Sequence, residues 1–328
     1  MPIKNQMRLG LILIIQMLAL CLMTTNAYAN MSCSFSVSDI DFGDVDLAAN
    51  TAFTVTGTLT ASCTDGPDGE LFTMCVHLDD GAGGSGSGGV RYMLNGADQL
   101  QFNMYKEASH STIWGSLNWS HAPTPFRWQP TTTGSGNFNG STTIYAKIPA
   151  GQTTLPTGLF SSAFTGGINR AEIEYKPGDE LCDDVYNSAD GTGYAPFTVS
   201  ANNTGSCTVS ASNLDFGSVG SINANLDTSS TVDVTCSNGL SYDVGLNNGL
   251  TGTGPTARKM TAGASAVTYG LYHDGGRTQP WGDTIGGNTA SGTGTGSVQS
   301  LTVYGRVSPQ TTPSAGTYTD TIVVTVTY

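Results

Sequence analysis

The chain has 328 residues, long enough for two domains of roughly 150 residues, each with its own buried core. Only 11% of them are charged and 43 are Gly, a composition of short strands and frequent turns rather than charged helical surfaces. With 25 acidic residues against 12 basic ones, the chain repels nucleic acid and anionic lipid, so nucleic acid is excluded as a partner and the charge serves solubility.

In chain order, Lys4 and Arg8 precede an apolar run from Leu9 to Met23, and Ala27-Tyr28-Ala29 offers small residues two positions apart. This reads as a signal peptide over residues 1–29, cut before Asn30. Cleavage removes Cys21 and leaves Cys33, Cys63, Cys75, Cys182, Cys207 and Cys236 in an oxidising compartment, where six cysteines are expected to pair.

An internal repeat selects the pairing. The stretch from Cys33 to Val45 (CSFSVSDIDFGDV) returns from Cys207 to Val219 (CTVSASNLDFGSV), followed by Cys63 and Cys236 at nearly the same spacing. Arg91 and Arg258 each stand 23 residues ahead of a Trp-Gly, at Trp114 and Trp281. The segments from Thr143 to Ile148 and from Thr302 to Val307 match, as do Gln152 with Gly158 and Gln310 with Gly316. Two copies of one domain follow, with Cys33–Cys63 and Cys207–Cys236 as equivalent disulfides. Cys75 and Cys182 have no counterparts and are expected to pair within the first copy. No CxxC occurs and the four histidines are scattered, so no metal site is expected.

Alternating apolar residues predict strands near 52–61, 73–78, 101–105, 142–148 and 170–175, with equivalents in the second copy and no helix after residue 30. The first copy continues into a further candidate strand, Tyr194 to Ala201, just ahead of Cys207. This strand can complete the first domain in cis. The second copy ends on a β-prone stretch from Tyr318 to Tyr328, expected to be a bare edge. The predicted division is therefore 30–201 and 202–328.

The early Cys, Asp-Phe-Gly, the Arg ahead of the Tyr269 to Tyr272 strand, Trp-Gly-Asp, Val-Tyr-Gly-Arg and the terminal Thr-Val-Thr-Tyr together resemble the spore coat protein U-like domain family. The resemblance implies an all-β chain of two immunoglobulin-like, pilin-type sandwiches. The second of these lacks its last strand, which a neighbouring subunit of an archaic chaperone-usher pilus donates. It also implies as partners a periplasmic pilus chaperone, an outer-membrane usher and an adjacent pilin subunit. Residues Tyr318, Ile322, Val324, Val326 and Tyr328 are the expected acceptor of the donated strand. Only Asn30, Met31 and Ser32 precede Cys33 after cleavage, so the subunit is expected to accept a strand without donating one, which places it at a fibre tip on the cell surface.

A binding surface is sought where the copies differ. From Trp-Gly to the next Tyr the first copy takes 31 residues and the second 23, and the extra length holds Trp119, Phe126 and Trp128 among Pro123, Pro125 and Pro130. With Phe164, these rings are expected to form a projecting adhesive patch for an abiotic hydrophobic surface or a host ligand, supporting biofilm formation. A non-adhesive minor pilus or spore-coat subunit and a secreted carbohydrate-binding module are the alternatives. No GxSxG or HExxH occurs and no His neighbours a plausible nucleophile, so neither catalysis nor a cofactor is expected.

Overall fold

A computed structural model describes residues 31–166 and 169–328; the expected signal peptide lies outside the described residues. Two hydrophobic cores form, one from the first copy and one from the second.

Domain one opens with β1 (Ser32–Val37), which pairs antiparallel with β3 (Phe53–Thr64), and the chain kinks at Ser38 into β2 (Ile40–Val45). Gly57 on β3 makes room for that crossing, since a Cβ there would lie 2.2 Å from Ile40 Cδ1. Next come β4 (Phe72–Leu78), β5 (Arg91–Asn95), β6 (Asp98–Tyr105), β7 (Phe126–Trp128), β8 (Phe138–Ile148), β9 (Gly158–Phe164) and β10 (Ala171–Pro177). The helix α1 (Cys182–Ser188), β11 (Gly191–Tyr194) and β12 (Phe197–Asn203) complete the domain. One sheet runs β1-β3-β8-β6-β5-β9-β12-β2 and faces a second, β11-β10-β4-β7. The strand expected over 194–201 is thus split, and β12 extends two residues past the expected domain boundary.

Domain two repeats the plan with β13 (Cys207–Ala211), β14 (Leu226–Cys236), β15 (Ser241–Leu246), β16 (Arg258–Ala262), β17 (Ser265–Tyr272), β18 (Ala290–Thr293), β19 (Val298–Val307) and β20 (Val324–Thr327). Its sheets are β13-β14-β19-β17-β16 and β18-β15-β20. The alternation of Thr or Ser with apolar residues sets the long ladders: Phe53 to Cys63 pair with Ile148 to Phe138, and Leu226 to Thr235 with Val307 to Val298.

The disulfides Cys33–Cys63 and Cys207–Cys236 join residues directly opposite on β1/β3 and β13/β14, and Cys75–Cys182 ties α1 to β4. The helix was not expected from the sequence. Its seven residues are held by the buried Cys182 and Val185 against the outer face of β4, with Asp183 and Asp184 in the first turn, where acidic residues complement the helix dipole.

Each repeated Arg is a buried clasp. Arg91 donates to the carbonyls of Leu78, Asp79 and Trp114 and to Asn103 Oδ1; Arg258 donates to those of Leu246, Asn247, Pro255 and Trp281. Full burial pushes the Arg91 pKa down to about 9, and the four acceptors offset that desolvation. Trp114 and Trp281 are buried alongside, each indole donating to a carbonyl, of Val76 and Val244.

Candidate functional site

The two domains differ at the slot between the β2 and β9 positions. In domain one, β12 lies between β9 and β2: seven antiparallel pairs run from Phe197↔Phe164 to Asn203↔Gly158, and a parallel ladder joins Val199 to Ile40 and Asn203 to Val45. Alternate residues Phe197, Val199, Ala201 and Asn203 point into the core. Phe197 stacks on Phe164 with ring centroids 4.7 Å apart and planes 5° apart. Asn203 closes the lower end by accepting from Leu47 N at 3.3 Å and donating to Pro156 O at 2.9 Å.

Domain two has nothing at that position. The equivalent of β2, residues 214–219, forms no ladder, and the equivalent of β9, around Tyr318 to Ile322, has no strand pairing beyond the Thr319–Thr261 bridge. Between them lies a cleft of about 710 Å³ whose apolar wall includes Leu214, Phe216, Val232, Leu271, Tyr318 and Ile322. The long bare terminal strand expected from the sequence is therefore corrected. Its second half, β20, pairs with β15 from Asp243↔Thr327 to Leu246↔Val324, and the unpaired stretch is Tyr318 to Ile322. Of the expected acceptor residues, Tyr318, Ile322 and Val324 line the cleft. Val326 pairs with Val244 and packs on the core outside it, and Tyr328 is exposed.

A hydrogen-bonded Tyr269–Asp320 pair also lines the cleft, beside other polar residues such as Asn213, Asp215 and Thr321, and the strand pattern did not single it out. Tyr269 Oη donates to Asp320 Oδ2 at 2.8 Å, while Asp320 Oδ1 accepts from Leu250 N and Thr321 N at 2.9 and 2.8 Å. Burial, reinforced by the Asp320 carboxylate, raises the Tyr269 pKa. In domain one the repeat puts Phe102 and Ser162 at these two positions. The signal was present there, as an Asp inside an otherwise apolar and hydroxyl-rich strand.

The expected adhesive rings are not a projecting patch. Trp119 is 6% exposed, under the Arg91 guanidinium at 4.2 Å from its ring centroid, with its indole N–H reaching Ser85 Oγ at 3.3 Å. Phe164 is 1% exposed in the stack with Phe197. Phe126 and Trp128 form β7 on the edge of the β4 sheet, half-buried against Trp114 and Phe138. Aromatic area outweighs the local turn chemistry of the prolines, so Phe126 and Trp128 fold down in β7, which occupies beside β4 the place that β18 occupies beside β15, instead of projecting. Domain one exposes Leu71, whose carbonyl accepts from Gly178 N, and, at 64% exposure, Leu181 just ahead of α1.

Comparison with known proteins bears on the whole chain. The family model described as the Spore Coat Protein U domain matches residues 19–166 and again 194–325. Among solved structures, the tip adhesion subunit in the CsuC-CsuE chaperone pre-assembly complex from archaic chaperone-usher Csu pili of Acinetobacter baumannii is similar at TM-score 0.53 and 16% identity. That match covers 90% of this chain and 100% of that one. The CupB6 tip adhesin of Pseudomonas aeruginosa is more distant, at TM-score 0.38 and 12% identity over 90% of this chain and 94% of that one. No curated protein matches in sequence.

Proposed function

The chain belongs to the Spore Coat Protein U domain family, and from that membership we propose that it is the tip subunit of a chaperone-usher pilus. In this reading the cleft of domain two is filled by a strand from the next subunit, and domain one attaches the cell to surfaces or host and supports biofilm formation. The observation that carries it is the contrast between a strand slot filled in cis by β12 and the same slot left open one domain later. A domain whose slot is already occupied cannot take a donated strand, whereas its neighbour must, because 214–219 and Tyr318 to Ile322 leave backbone groups and apolar side chains without a partner.

Before assembly, a periplasmic chaperone covers the cleft, an outer-membrane usher exchanges it for a pilin strand, and the protein reaches the cell surface. Adhesion falls to the surfaces domain one has and domain two lacks: the 64–71 and 129–137 loops and the α1 segment, with Leu71 and Leu181 as exposed apolar side chains.

The test is complementation. A synthetic peptide copying residues 195–203, added to the purified full-length chain, is expected to raise the melting temperature of domain two and leave that of domain one unchanged. Immunogold labelling of assembled fibres is expected at one end. Labels along the shaft, or no peptide effect, would contradict the reading.

A further inference from the structure

We propose that Asp320 selects the incoming strand: the donor carries a hydrogen-bond-donating side chain at the position where domain one's own strand carries Val199. This rests on the reading of the cleft as a strand acceptor and specifies which strand it takes.

The register follows from the repeat. Gly158 and Gly316 are equivalent, so Ser162 in β9 corresponds to Asp320. In domain one the residue directly opposite Ser162 is Val199, flanked on its other side by Ile40, the equivalent of Leu214. A strand seated the same way in domain two places one inward side chain opposite Asp320, with Cβ atoms about 5 Å apart, close enough for a hydroxyl or amide to reach the carboxylate.

The chemistry of the two sites differs at that spot. Ser162 is neutral and its oxygen accepts from Gly83 N at 3.1 Å, so an aliphatic Val199 beside it seals no charge away from water. Asp320 repeats that task with Oδ1, on Leu250 N, but adds a second oxygen and a negative charge inside the cleft. Its three bonds, from Leu250 N, Thr321 N and Tyr269 Oη, leave one of about four acceptor positions on an ionised carboxylate unused. An aliphatic neighbour would seal that charge from water without a bond, whereas a donor hydroxyl would complete it.

The lower end of the slot points the same way. In domain one, Leu47 N is capped by Asn203 of the inserted strand; in domain two, Ile222 N is capped by Thr312 Oγ1 of the domain itself, at 2.9 Å. A strand suited to domain one therefore still seats in domain two but binds there more weakly than one carrying a donor opposite Asp320.

Two peptides isolate the effect: the copy of residues 195–203 and its Val199→Thr counterpart, nearly isosteric and differing in one hydroxyl. Binding of each is measured by titration calorimetry on the full-length chain and on its Asp320→Ser variant, which restores the residue domain one uses. The Thr peptide is expected to bind the wild type about tenfold more tightly, the worth of one hydrogen bond to a charged group. That preference is expected to vanish in Asp320→Ser, whose folding is checked by its unchanged domain-one transition and by retained binding of the Val peptide. Equal or tighter binding of the Val peptide to the wild type, or a Thr preference that survives Asp320→Ser, would overturn the selection. Failure of both peptides to bind the wild type would instead overturn the strand-acceptor reading beneath it.

Discussion

Truncating Phe197 to Ala removes the ring that anchors the first inward position of β12. Phe197 is 4% exposed and stacked on Phe164, itself fully buried, so the substitution leaves a ring-sized cavity between two strands and forfeits an aromatic contact. Buried Phe→Ala changes cost about 3–5 kcal/mol, and for a domain of this size each kcal/mol lowers the melting temperature by roughly 2–4 °C. Domain one is therefore expected to melt roughly 6–20 °C lower, while domain two is unmoved. Differential scanning calorimetry of the full-length chain resolves the two transitions, and a strand peptide bound to domain two serves as the internal reference. The reasoning depends on β12 belonging to domain one, although it immediately precedes the Cys207 repeat. A shift under about 2 °C, or a loss confined to domain two, would refute it.

Arg91→Lys and Arg258→Lys each strand several backbone carbonyls that one guanidinium satisfies, and each is expected to destabilise its own domain alone by about 3 kcal/mol or more, read by urea denaturation. Removing the Cys75–Cys182 disulfide as paired Ser substitutions opens a loop spanning 107 residues, worth about 4–5 kcal/mol by chain entropy, and is expected to release α1 to limited proteolysis first. The raised pKa of Tyr269 means the unfolded chain ionises this phenol first, so its stabilisation of domain two is intact below about pH 10 and lost as pH rises through the folded value. Melting curves of wild type and Tyr269→Phe are expected to converge in that alkaline range. Leu71→Ser with Leu181→Ser is expected to reduce attachment to hydrophobic surfaces severalfold without altering fibre yield, measured by adhesion and sedimentation assays.

Most of the scaffold was legible because it is written twice. The spacing of Cys33 and Cys63 repeated at Cys207 and Cys236 selected two disulfides, and the Arg and Trp-Gly spacing marked a pair that turned out to be a buried clasp. What the repeat could not convey was the fate of the unrepeated parts. Trp119 and Phe126 look projecting when judged by neighbouring prolines. Their burial depends on Arg91 and Trp114, brought against them only by the tertiary fold. The helix α1 was illegible for the same reason, since seven residues are too few to hold a helix by propensity and its stability comes from Cys75 and the back of β4.

If domain two accepts a strand as proposed, residue 320 lets a duplicated domain diverge in partner without diverging in fold. The slot that β12 fills in domain one sets its inward pattern as Phe197, Val199, Ala201 and Asn203, and any strand entering the second slot inherits that geometry. Only side chains that face the slot without supporting either sheet are free to change what it accepts. Ser162 and Asp320 meet that condition, because both keep the adjoining loop capped, through Gly83 N and Leu250 N, whichever residue is present. Tyr269 keeps the core ring that Phe102 supplies in domain one and adds only a hydroxyl, which is spent on Asp320. The two changes are coupled, since either alone would leave a buried polar atom short of a partner. On the proposed reading, the same backbone holds one strand in cis and leaves a differently addressed place for another.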